Sequence, residues 1–512
     1  MQLLKSVGEG TASSGGRQYA AGPVLLAIDQ GTTGSTCLVF NLEGELIGRG
    51  YREFSQGFPK PGWVEHDAKE ILEVTLAVAR EALEDAAVPS GGLAAVGITN
   101  QRETTVVWNK ETGEPYAPAI VWQDRRTAER CAELKSEGFE PTIRERTGLV
   151  LDSYFTATKI EWLLDNVAGL REEAAAGRAI AGTIDTWLAW NLTGEHVTDP
   201  SNASRSLLFD IRSGEWDAEL IDRFNIPAEI LPTVVPSVGV VGDVRPELLG
   251  GHSAPLAGIL GDQQAALFGQ ACFTPGEVKA TYGTGSFILM NAGRTAPPVV
   301  DGLLSTVAWG IGDRLDYALE GSVFVGGAAV QWLRDGLGLI ESAAETEALA
   351  KSVDSTDGVH FVPAMTGLGS PWWDPDARGT ITGITRGTTK AHLVRATLEG
   401  IAFQVADAVG AMVGSSGYQL TELRGDGGAT ANDFLMGFQA DLLGVPLSVP
   451  EVAETTALGA ALAAGVGVGA MTLDDAAKGR RVRVTHEPSI GADERAQMIA
   501  GWHQALDRAR SR

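Results

Sequence analysis

The chain has 512 residues with 44% hydrophobic character, and its 40 Lys and Arg against 65 Asp and Glu give a formal net charge of −25. That length predicts two or more domains with a cleft between them, and the acidic balance argues against nucleic acid or an anionic membrane surface as the main partner. An ATP-sized anion remains admissible, because backbone N–H groups, helix N-termini and a divalent metal hold phosphates without a basic surface.

The first 22 residues contain no long apolar core and are expected to be a disordered leader. Residues 24–54 then read as an antiparallel meander, VLLAID, STCLVF and ELIGRGYREF, with turns at Gly31–Gly34 and over NLEG (41–44). Asp67 followed by Glu70 forms a capping-box start, and Leu72, Leu76, Ala79 and Leu83 recur at helical spacing after it. The next strand, LAAVGITN (93–100), ends on the polar cluster Gln101, Arg102 and Glu103.

A similar order recurs in the second half of the chain. GILGDQQAALFGQ (258–270) reads as a strand ending on Asp262, and EVKATYGTGSFILMNAG (277–293) as a strand pair around a Gly-Thr-Gly turn. LRGDGGATANDFLMGFQADLLG (423–444) gives strand, glycine turn and helix, with Leu435, Phe438 and Leu442 on one face and Gly444 as the stop. ALGAALAAGVGVGAM (457–471) is too short and too glycine-rich to cross a bilayer, and predicts a helix packed closely through its small residues. Two halves with similar turns indicate a duplicated α/β architecture with a ligand between them. The expected boundaries are 24–270 and 271–512.

Three cysteines, Cys37, Cys131 and Cys272, are too few and too scattered for a disulfide framework or a thiolate metal site. They read as small buried residues of a reducing cytoplasm. The seven histidines show no metal-ligand spacing.

The chemistry concentrates in three glycine turns: DQGTTG (29–34), TYGTG (281–285) and DGGA (426–429). Taken alone, the first also reads as an ordinary hairpin turn whose Asp bonds its own backbone. Together they offer exposed N–H groups and threonine hydroxyls to phosphate oxygens, and two of them add a carboxylate that can approach a metal ion. Neither a Walker loop nor a dinucleotide-binding glycine motif is present.

The set of turns resembles the nucleotide clasp of the actin-like ATPase superfamily. GITNQRETTVVW (97–108), YAPAIVWQDRRTAE (116–129), YFTATKIEWLLDN (154–166), GTIDTWLAWNLTG (182–194), GDQQAALFGQ, TYGTGSFILMN and MTGLGSPWWDPDARGTITG (365–383) resemble, more narrowly, the FGGY carbohydrate kinases, and within them the glycerol-phosphorylating branch. The resemblance implies two ribonuclease-H-like domains with a nucleotide cleft between them. It also implies ATP-dependent, Mg²⁺-requiring phosphorylation of glycerol to sn-glycerol 3-phosphate, in glycerol catabolism.

By that resemblance Arg102, Glu103, Tyr154, Asp262 and Gln263 surround the substrate hydroxyls, Trp122 and Phe287 cover its carbon face, and Asp262 is the catalytic base. Thr32, Thr33, Gly34, Thr284, Gly327, Gln331, Gly428 and Asn432 meet the nucleotide, and Asp29 and Asp262 the metal ion. The residue types suit a small polyol, since an arginine fork donates, carboxylates accept, and aromatic rings cover its apolar edge. Each residue also has a plainer reading. Arg102 and Glu103 would form an exposed ion pair, Trp122 and Phe287 would be core aromatics, and Gln331 a solvated helix residue. Asp262 resists such a reading, because a carboxylate directly after the buried run GILG needs partners to offset its desolvation.

Where many of the branch carry an arginine shortly after DQGTT, this chain has Thr36, which predicts a looser nucleotide site or another cation in that role. GGHSAP (250–255) lacks the basic residues with which some relatives bind a sugar-bisphosphate effector. Other expectations are a homo-oligomer, dimer or tetramer, a cytoplasmic setting, and no nucleic-acid or membrane-spanning role. The alternatives are a kinase for another small polyol such as erythritol, and an actin-like or chaperone-like nucleotide switch. The second would leave the NQRET and GDQQ clusters without a role.

Overall fold

The computed structural model describes residues 22–511, so the leader expected over 1–22 lies, but for Gly22, outside the described residues. A single sheet of thirteen strands runs through the molecule. Along the chain these are β1 (Val24–Gln30), β2 (Gly34–Asn41), β3 (Leu46–Glu53), β4 (Leu93–Asn100), β5 (Val238–Asp243), β6 (Pro255–Gly261), β7 (Val278–Tyr282), β8 (Ser286–Gly293), β9 (Leu304–Ile311), β10 (Arg314–Val323), β11 (Leu423–Asp426), β12 (Leu447–Pro450) and β13 (Val482–His486). The helices that matter for the site are α1 (Ala68–Asp85), α2 (Ala157–Asn166), α3 (Pro200–Ala203), α4 (Asp262–Gly269), α5 (Gly327–Asp335), α6 (Lys390–Ser416), α7 (Asp433–Leu443) and α8 (Thr455–Gly467).

The sheet order exposes the duplication. The first half runs β3-β2-β1-β4-β6 and the second β10-β8-β7-β11-β12. In each, the first two pairs are antiparallel and the last two parallel. The halves join where β5 meets β9 in a single pairing of Val238 with Ile311. The expectation of a duplicated α/β fold is met, strand for strand.

Strand composition follows burial. Five of the seven residues of β1 form the uninterrupted buried run Val24–Ile28, as expected of a strand covered on both faces. One face packs on α1 and the other on α4 and α8. The contact with α8 depends on missing side chains. A Cβ on Gly97 would strike the Ala460 carbonyl, one on Gly459 the Ala265 carbonyl, and one on Gly467 the Ala257 carbonyl. Helix, sheet and neighbouring helix thus meet backbone to backbone, as the small-residue composition of 457–471 predicts.

Helix α1 forms where expected, and the residues named for it meet the core to different depths. Ile71, Thr75, Val78, Ala79, Ala82 and Leu83 are buried, whereas Leu72 and Leu76 are half-buried. Gly48 and Gly50 of β3 let the helix backbone approach at Ala82 and Val78, which fixes its rotation. Asp67 caps the helix by accepting from the N–H groups of Lys69 and Glu70. Glu70 does not complete a capping box; it accepts from the backbone and hydroxyl of Ser55.

The second half buries its own core between its strands and α6 and α7. Among the described residues α6 alone is long and apolar enough to cross a bilayer, and 72% of that apolar window is buried inside the fold. The three cysteines are buried and unpaired.

Candidate active site

Three strand ends form the floor of the site. β1, β4 and β6 run parallel, and Gln30, Asn100 and Gly261 lie in lateral register. Asp29, the segment 101–103 and Asp262 therefore emerge at one carboxyl edge, the position that ligands take in open α/β sheets. A buried polar layer holds these ends. Asp199, at the N-terminus of α3, accepts from Ser201 and Asn202. Ser201 Oγ accepts from the N–H of Gly261, and Asn202 exchanges amide hydrogen bonds with Asn100.

Asp262 opens α4. Its Oδ1 accepts from the N–H of Gln263 at 2.7 Å and lies 3.1 Å from Arg102 Nε. The side chain is 34% exposed, and among the described residues its Oδ2 receives no hydrogen bond. Gln263 is buried and accepts from Lys279 Nζ at 2.6 Å; the same ammonium reaches Thr281 Oγ1 at 2.9 Å, on the strand that leads into the TYGTG turn. Burial pushes the Lys279 ammonium down to about 8, against the pull of Asp426 and Asp262.

Arg102 and Glu103 do not form an exposed pair. Their side chains are 2% and 1% exposed, and their closest approach is 3.9 Å. Each finds a different partner. Arg102 sets its fork on Glu320 of β10, Nη1 to Oε2 at 2.6 Å and Nη2 to Oε1 at 3.2 Å, and also donates to Gln264. Glu103 accepts from Arg205 Nε at 2.7 Å, and Arg205 Nη2 donates to Glu320 at 3.1 Å. Burial works against the Glu320 carboxylate, yet Arg102 and Arg205 hold it down at about 2. Burial raises the Glu103 carboxyl in spite of the same two cations.

Glu103 also has a left-handed backbone, φ 60°, a strained state that non-glycine residues keep only where the surroundings enforce it. Its carbonyl accepts from Lys159 Nζ at 3.1 Å and from Thr105 Oγ1. Lys159, on α2, also donates to the Tyr154 carbonyl at 2.7 Å, so one buried ammonium fixes the backbone of two expected polyol-binding residues. Burial lowers it to about 7.

Trp122 and Tyr154 form a half-buried wall, ring edge to ring face with centroids 5.6 Å apart. Trp122 Nε1 donates to Thr32 Oγ1 at 3.0 Å, which links the wall to the first glycine turn. Trp122 is thus no core aromatic. Phe287 is half-buried in β8 and meets the cluster through its carbonyl, 3.4 Å from Lys279 Nζ; among the described residues no ring contact joins it to Trp122 or Tyr154.

The phosphate-type turns of the second half gather separately. Gly327, first residue of α5, donates to Gly283, and Gly326 and Ala328 donate to Thr284. Gly427 has φ 89°, and a Cβ there would stand 2.6 Å from the Tyr282 carbonyl, so the turn demands glycine. Gly428 beside it is exposed with open space around its Cα. Asn432 uses its side chain in the fold, capping α7 through Leu435 N and donating to Thr346. Thr33 and Gln331 are exposed, and Gly34 is buried against the Arg52 carbonyl. Among the described residues no hydrogen bond joins the first turn to the other two.

Asp29, half-buried, is raised to about 7, first by burial and then by the charges of Asp262 and Glu454. Two carboxylates at one sheet edge, the charge of Asp262 acting on Asp29, suit a cation that keeps most of its shell as water and phosphate oxygens. No group of three or more His, Cys, Asp or Glu forms a closed metal cage among the described residues.

Four residues of the cluster escaped the sequence reading: Lys159, Arg205, Lys279 and Glu320. Arg205 and Glu320 are lone charges within the runs NASRSLLF and YALEGSVF, while Lys159 in TATKIEW and Lys279 in GEVKATY each have a glutamate two residues away. The desolvation argument that singled out Asp262 applies to all of them.

Comparison with known proteins gives a consistent result. Residues 24–269 match the N-terminal domain of the FGGY family of carbohydrate kinases and residues 278–468 its C-terminal domain. The chain is 55% identical to a glycerol kinase of Symbiobacterium thermophilum over 95% of this chain and 98% of that one. Against a glycerol kinase of Thermus thermophilus it is 53% identical, over 94% and 98%. The crystal structure of Plasmodium falciparum glycerol kinase with ADP superposes with a TM-score of 0.90 at 36% identity, covering 96% of this chain and 99% of that one.

Proposed function

The chain belongs to the FGGY family of carbohydrate kinases, and from that premise we propose that it transfers the γ-phosphoryl group of ATP to glycerol, giving sn-glycerol 3-phosphate and ADP in glycerol catabolism. One observation carries the assignment of roles: a partly exposed carboxylate at a sheet edge, Asp262, stands 3.1 Å from Arg102 Nε, and Arg102 interacts electrostatically with Tyr154, whose ring pairs with that of Trp122. A polyol lying there would give its hydroxyls to charged groups and its carbon edge to rings.

In this reading Asp262 accepts the hydroxyl proton while that oxygen bonds to the γ-phosphorus and the bond to the β–γ bridging oxygen breaks. The transition state is loose, so in-line positioning matters more than a strong base. Arg102, Glu103, Tyr154 and Gln263 orient the polyol, and Trp122 and Phe287 cover its carbon face. Buried hydrogen-bonding partners of this kind reject an analogue that lacks a hydroxyl. Thr32, Thr33, Gly34, Thr284, Gly327, Gln331, Gly428 and Asn432 surround the nucleotide. Asp29 and Asp262 would hold Mg²⁺, which when bound neutralises charge on the phosphates. The polyol and first phosphate turn belong to a domain spanning 24–270, the rest of the nucleotide site to 271–512. A homo-oligomer of two or four copies in the cytoplasm completes the proposal; the three unpaired buried cysteines suit that compartment, and sedimentation of the purified protein tests the assembly.

The experiment is ADP release by the purified protein with Mg²⁺-ATP and a panel of glycerol, erythritol and other small polyols. Glycerol is expected to give the highest kcat/KM. Faster turnover of another polyol, or ATP turnover indifferent to all of them, would overturn the reading.

A further inference from the structure

Arg102 reaches the site from the first half of the molecule, but its guanidinium is aimed by the second. Glu320 lies on β10, its side chain is 0% exposed, and both of its oxygens are occupied: Oε2 by Arg102 Nη1, Oε1 by Arg102 Nη2 and Arg205 Nη2. A bidentate carboxylate fixes the plane of a guanidinium as well as its position. With the fork seated on Glu320, the nitrogen left beside Asp262 is Nε. Arg205 bridges the same carboxylate to Glu103, so a single side chain of the second half holds one polyol-facing charge, Arg102, and the partner of the other, Glu103. Arg205 Nη1 is buried without a partner, which makes Glu320 and Glu103 its only charged anchors among the described residues.

We infer that Glu320 is a positioning residue for the polyol: by clamping Arg102 and Arg205 across the two halves it sets the pocket that receives glycerol, without touching glycerol itself. Both of its oxygens are consumed by guanidinium groups, which leaves neither to meet a glycerol hydroxyl. The dependence runs one way. Among the described residues the Glu320 side chain accepts hydrogen bonds from Arg102 and Arg205 and from no residue of the glycine turns. Loss of the clamp should therefore be felt by glycerol and not by ATP. A general structural role would weaken both together.

This inference rests on the proposed phosphorylation of glycerol, and the parent enzyme tests that separately: no glycerol-dependent ADP release from the parent defeats the function, whatever Glu320 does. With an active parent, Glu320→Gln is expected to raise the KM for glycerol by about tenfold or more while the KM for ATP stays within about twofold. Glu320→Asp, which keeps the charge and shortens the reach, is expected to fall between. An unchanged glycerol KM in Glu320→Gln, or an equal rise in both KM values, overturns the inference. Should Glu320→Gln fail to fold, Glu320→Asp carries the test on the same two constants. Equal effects on both substrates, or none, would again overturn it.

Discussion

The Asp29 carboxyl, at the end of β1, is raised from its ordinary 3.8 to about 7, by burial first and then by the charge of Asp262 at the same sheet edge. Folding therefore makes Asp29 hold its proton more tightly. Between about pH 4 and about pH 7 the folded chain binds more protons at this site than the unfolded chain, so the contribution of Asp29 to stability falls as pH rises through that window and is flat above it. Asp185, also raised to about 7 by burial, adds a second group of the same sign. Thermal melts of Asp29→Asn should lie above the parent at pH 8, with the gap closing toward pH 4. A gap that does not depend on pH would refute the assignment.

Asp262→Asn preserves the size of the side chain and an acceptor for Gln263 N, but removes the proton acceptor. Glycerol-dependent ADP release should fall by a factor on the order of 10² to 10⁴, with the melting temperature close to the parent. A mutant that turns over at the parent rate would show that Asp262 is not the base.

Thr36 is half-buried in β2, opposite Asp29 and Tyr51. Thr36→Arg brings a cation to the first glycine turn and should lower the KM for ATP while leaving that for glycerol near its parent value. An unchanged ATP KM would mean that Thr36 does not loosen the nucleotide site.

Two glycine substitutions separate packing from propensity. Gly459→Ala in α8 meets the Ala265 carbonyl and should destabilise by about 1–3 kcal/mol or more. Gly410→Ala in α6 meets open space and should stabilise by about 0.5–1 kcal/mol, because alanine loses less conformational freedom on entering a helix. Urea midpoints of the two variants should move in opposite directions.

Much of this was legible along the chain because the signals are local. The meander of β1 to β3, the strand over 93–100, the stop at Gly444 and the three glycine turns follow from apolar runs and residues that tolerate tight backbone, which act within a few positions. The rotation of α1 was not legible in this way, since it is set by Gly48 and Gly50, which lie outside the helix. The motifs pointed to Arg102, Glu103 and Asp262, but not to what holds them.

By itself the sequence determined the duplicated α/β pattern, the turns and the acid after GILG, because periodicity, glycine and desolvation each leave a mark on neighbouring residues. Only the tertiary structure decided that Arg102 pairs with Glu320, 218 positions away, and not with the adjacent Glu103. A buried charge must be neutralised by whatever the fold brings within reach, and in a sheet shared by two halves of the chain those partners come from strands distant in sequence.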